Sequence, residues 1–60
     1  MADLTQFAAR VNDETIVNLM VKMSKNGQQA SRRGDTEAVE KFQQAYDTYR
    51  AEAVKRGLVE

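Results

Sequence analysis

Ala30-Ser31-Arg32-Arg33-Gly34-Asp35-Thr36-Glu37-Ala38 is the stretch that decides how this 60-residue chain folds. Arg32 and Arg33 suit the negative end of a helix dipole, and Gly34 suits the left-handed position just past a helix end. Asp35 or Thr36 then caps a new helix, with Glu37 in its first turn. A stop followed within two or three residues by a start means two helices folded back on each other, the αα hairpin of bundles.

Outward from the turn, each arm carries one apolar stripe at helical spacing. Ile16, Met20, Met23, Gly27 and Ala30 mark the arm before it. Val39, Phe42, Tyr46, Tyr49 and Ala53 mark the arm after it, with Ala38 and Ala45 alongside. Glu37–Lys41 and Glu52–Arg56 are i,i+4 pairs in the favourable order. Gly57-Leu58 reads as a Schellman stop with its apolar contact. Each arm is about 20 residues, or roughly 30 Å.

Leu4, Phe7, Ala8 and Val11 form a third, shorter stripe, with Asp3 as its N-cap and Gln6 as the capping-box partner. On one continuous helix this stripe would be rotated about 130° from the next, which no single core-facing helix explains easily. The break falls at Asn12-Asp13, where Asp13 and Glu14 suit a helix N-terminus. The expectation is a single small helical domain over 1–60, with helices at about 4–11, 14–33 and 36–56. Its class is all-α: an antiparallel helical hairpin with a short N-terminal helix, in a three-helix or dimeric helical bundle.

The stretch Gly27-x2-Ala30-x3-Gly34-Asp35-x-Glu37-Ala38-x3-Phe42-x2-Ala45 resembles the hairpin of a tetratricopeptide repeat. It has one residue fewer in the turn and no second copy. Such repeats need about three copies for stability, so the likeness is one of hairpin physics. In size and layout the paired helices also resemble plasmid-copy-number RNA-binding hairpin dimers, without a diagnostic motif. The second likeness implies a dimer on RNA.

Composition narrows the functions. A chain this small buries only about 60% of its unfolded surface and usually needs disulfides, a metal or self-association. It has no Cys and no His, which removes disulfides and nearly all zinc sites. No cofactor or metal is expected, and no catalytic residue: the Ser and Thr hydroxyls have no activating base, and no glycine-rich phosphate loop occurs. No apolar run reaches the roughly 18 residues of a membrane span, and no signal peptide is visible. A cytoplasmic protein complete from Met1 is the simplest reading.

Two constellations point to binding. Val17 and Val21 lie away from the apolar stripe of the second helix, so this helix wants contact on two sides. The short first helix folding back with Leu4, Phe7 and Val11 would satisfy them; a dimer or partner surface built on Leu4, Phe7, Val17 and Val21 would do so too. The two coexist easily, because ten helical residues cover only about 15 Å of a 30 Å partner. Asn18, Lys22, Lys25, Gln29 and Arg32, with Arg33 close by, form a basic and amide stripe on the opposite side from the core. No acid occurs from Thr15 to Gly34, so residues 21–34 carry +4 and the remainder −4, five basic residues against nine acidic. Arg33-Gly34-Asp35 spells an adhesion tripeptide, but each residue has a local role in the turn. Phe42, Tyr46 and Tyr49 read as core rather than as a stacking platform.

The expected function is a small non-enzymatic protein–protein interaction module, a regulator, inhibitor or adaptor that binds a larger protein as a homodimer. Lys22, Lys25, Arg32 and Arg33 would provide charge complementarity. One alternative is a nucleic-acid-binding hairpin dimer using that basic stripe; another is a small structural subunit of a larger assembly.

Overall fold

A computed structural model describes residues 4–59. The chain is all-α: α1 spans Leu4–Arg10, α2 Asp13–Arg32 and α3 Thr36–Lys55. Each boundary lies within a residue of its expected place, and α2 and α3 pack along their length as the hairpin. Asp3, expected to cap α1 with Gln6, lies outside the described residues.

Local chemistry explains each boundary. Asn12, with extended backbone (φ −77°, ψ 170°), accepts the Thr15 amide on its Oδ1 at 2.8 Å and so starts α2. The cap is therefore Asn12 itself, and Asp13 and Glu14 stand in the first turn, where carboxylates meet the positive end of the dipole. At the hairpin turn Gly34 has φ 73°. The Asp35 amide donates to the Ala30 carbonyl at 2.9 Å and the Gly34 amide to the Ser31 carbonyl at 3.0 Å. This is the Schellman pattern, which satisfies carbonyls that a helix end leaves unpaired. Asp35, not Thr36, caps α3, accepting the Ala38 amide at 3.1 Å. The same pattern ends α3: Gly57 has φ 77°, and the Leu58 amide donates to the Ala53 carbonyl at 2.9 Å.

The core is small. Ile16, Ala30 and Ala53 are fully buried, Ala8 nearly so, and Met20 and Tyr49 largely. Among the described residues Ile16 alone is a large side chain with no exposure, and such burial contributes about 1.5–3 kcal/mol. Both expected stripes of the hairpin point inward, with Met23, Gly27, Val39, Phe42 and Tyr46 half-buried along them.

The short helix departs from one expectation. α1 packs against α3 rather than over the outer face of α2, so it does not cover Val17 and Val21. Arg56 gives the physical reason. Its Nη2 donates to the Ala8 carbonyl at 2.9 Å and the Ala9 carbonyl at 3.3 Å, two of the orphan carbonyls at the end of α1. The same guanidinium meets Glu52 through Nε at 2.8 Å and Asp13 through Nη1 at 2.9 Å. One side chain thus ties the end of α1 to the start of α2 and the last turn of α3. Phe7 lies edge-on to Tyr49, with ring centroids 6.4 Å apart. Ala8 is the only residue of α1 that is buried.

Candidate functional site

With α1 held on α3, one side of the hairpin stays open. Val17 and Val21, 40% and 48% exposed, line an open groove of about 520 Å³ between α2 and α3. Met20, Tyr46 and Val59 complete its apolar walls, and Lys25 and Gln28 stand on its α2 edge. A second groove of about 420 Å³ continues towards the turn. It shares Ser24, Gln28 and Tyr46 with the first and adds Met23, Phe42 and Val39. Together they form one apolar trough down one face of the hairpin. The valines face outward because the stripe through Ile16 and Met20 turns towards α3, which leaves positions 17 and 21 on the flank.

The four apolar residues singled out in the sequence fall in two places. Val17 and Val21 share the trough. Leu4 and Phe7, 42% and 46% exposed, stand on α1 and line neither groove. Tyr46, expected in the core, is half-buried and forms part of the trough, while Tyr49 is buried as expected.

Lys22, Lys25, Arg32 and Arg33 are all exposed, as are Asn18 and Gln29. None of the four cations has an ion pair among the described residues. They divide by direction. Lys25 lines the first groove and Gln28 both, so these two form the α2 rim of the trough, whereas Arg32 lines neither. Lys22, Gln29 and Arg33 turn away from it. Arg56 is the opposite case. Its hydrogen bond to Glu52 raises its pKa above the ordinary guanidinium value; burial opposes this and Asp13 adds to it.

On the α3 side the sequence reading passed over Gln43, which lines the trough. Asp47 lines a separate groove between α1 and α3, with Thr5, Ala8 and Glu52. The trough is therefore apolar along its floor, with Lys25 and two glutamines at its edges. Such a surface binds by burial and charge matching.

No cluster of three Asp or Glu residues that could hold a metal ion occurs among the described residues, nor is any described helix long and apolar enough to cross a membrane. No protein-family model matches the sequence, and comparison with curated proteins and with solved structures finds no match.

Proposed function

We propose that this chain is a small non-enzymatic protein–protein interaction module of the cytoplasm, acting as a homodimeric regulator, inhibitor or adaptor on a larger protein. The observation that carries this reading is the division of labour on α2. One helix presents exposed valines in an open trough and, beside them, four cations without a carboxylate partner among the described residues. Lys22 and Arg33, directed away from the trough, suit an acidic patch on the larger protein. An apolar trough next to the cations favours a protein over nucleic acid, whose binding rests on phosphate contacts and aromatic stacking.

The test is native co-purification of the tagged chain from its source cells, with mass spectrometry of what is bound and a nuclease-treated parallel. The expected result is a larger protein that survives nuclease treatment and is lost with Lys22→Glu/Arg33→Glu. Helix content by circular dichroism should be unchanged in that variant. A bound species that nuclease removes would replace this reading with nucleic-acid binding. Retention unaffected by the double charge reversal would refute the assignment of the cationic face.

A further inference from the structure

Lys22, Gln29 and Arg33, the residues of α2 directed away from the trough, share their flank with Asn26. The four recur at i, i+4, i+7 and i+11, one row of an α-helix. Asn26 is half-buried where the other three are exposed. Among the described residues its side-chain carboxamide has no hydrogen bond. The residue that follows it is Gly27. A glycine nitrogen has no neighbouring Cβ to hinder its approach, and the free φ and ψ of glycine let it turn back on the preceding side chain.

We infer that Asn26-Gly27 is a self-modification site, held unreactive by α2, whose product places a carboxylate in the middle of the cationic row. The Gly27 nitrogen gives up its proton and bonds to Asn26 Cγ. The Cγ–Nδ2 bond breaks, ammonia leaves, and a succinimide ring closes. Water then adds to either ring carbonyl and opens the ring, giving aspartate or isoaspartate. Water is the only co-reactant, and nothing is oxidised or reduced.

The folded geometry forbids the first bond. A helical side chain leans towards the N-terminus, whereas the Gly27 nitrogen lies on the C-terminal side of Asn26. Its N–H is also engaged in the hydrogen-bond ladder of α2. Reaction therefore waits until α2 opens. Packing around the site is thin: Met23, Gly27 and Phe42 are half-buried, and the nearest buried residue along α2 is Ala30. Either product alters the cationic face. The +4 of residues 21–34 falls by one, and the new carboxylate stands one turn from Lys22 and two from Arg33. Isoaspartate does more, because it routes the main chain through the side chain and lengthens it by one carbon. The helix register then breaks, and Gly27 loses its place beside Phe42, whose Cβ lies 3.7 Å from where a glycine Cβ would be. A chain that opens and reacts this way does not return to the same hairpin.

The effect on binding rests on the cationic face proposed above; the site itself does not, and separate measurements test the two. The full chain is held at mildly alkaline pH, in buffer and in guanidinium chloride above its unfolding midpoint. Peptide mapping follows the mass gain of amide-to-acid conversion and the appearance of isoaspartate. In denaturant Asn26 should convert before Asn12 and Asn18, whose following residues, Asp13 and Leu19, carry side chains. In buffer it should convert at least about 100-fold more slowly, a protection set by the opening equilibrium of a domain this size. Gly27→Ala should abolish the conversion in denaturant over the same interval. Equal conversion of the three asparagines in denaturant overturns the site. Conversion in buffer as fast as in denaturant overturns its protection by α2. For the effect on binding, Asn26→Asp, checked for helix content by circular dichroism, should retain about two- to fivefold less of the larger protein than the wild type. Unchanged retention overturns that effect. If the wild type retains no larger protein, the function proposed above fails, while the conversion rates still decide the site.

Discussion

Two glycines near the hairpin turn should respond with opposite sign to the same substitution. Gly27 lies inside α2, away from its ends, with no left-handed backbone angle. A Cβ built there meets only the Phe42 Cβ, at the ordinary van der Waals distance of 3.7 Å. Alanine therefore fits without moving a neighbour and removes the helix penalty of glycine, about 0.8–1.0 kcal/mol. For Gly34 the balance is reversed. A Cβ there meets nothing within 4 Å, but φ is 73°, and an L-residue in that conformation costs about 1–2 kcal/mol. In a domain of this size about 1 kcal/mol moves the midpoint by roughly 4–8 °C. Thermal melts followed at 222 nm, at one protein concentration, should thus place Gly27→Ala above the wild type and Gly34→Ala below it.

The pair also separates two explanations of Gly27. A glycine at a helix crossing can serve instead to let two backbones approach closely. A lower midpoint for Gly27→Ala would mean that α2 and α3 approach more closely than the 3.7 Å contact allows, and the packing described above would be refuted. A neutral Gly34→Ala would refute the left-handed Schellman turn.

Three further substitutions probe the scaffold. Ile16→Ala removes a large side chain with no exposure and should cost about 2–5 kcal/mol; against a total stability of about 3–9 kcal/mol for 60 residues, urea denaturation should show most or all of the cooperative transition lost. Asn12→Ala removes the acceptor of the 2.8 Å bond from the Thr15 amide and should lower stability by about 1 kcal/mol, whereas Asn12→Asp should retain it. Arg56→Met should release α1 without dissolving the hairpin: hydrogen exchange should accelerate at the amides of α1, while those in the middle of α2 and α3 stay protected. Because its neighbours raise the Arg56 pKa, the guanidinium charge contributes fully at neutral pH, and its contribution is lost as pH rises through the higher folded value. No step in stability near neutrality should therefore trace to Arg56.

What was legible in the sequence was what short-range chemistry writes. Gly34 and Asp35 announce a helix stop and a helix start within two residues, and the stripes through Ile16 and Tyr49 announce which faces meet. The direction taken by α1 was not legible, because the contact that sets it joins residues far apart in the chain. Arg56 and Asp13 are separated by 43 positions, and from the sequence Arg56 is simply the partner of Glu52 at i+4. The stripe of α1 misleads for a related reason. Leu4 and Phe7 look like the heart of a core face, yet α1 is seven residues long and contributes only Ala8 to the core. A helix that short has its position set by what binds its end, not by its apolar periodicity.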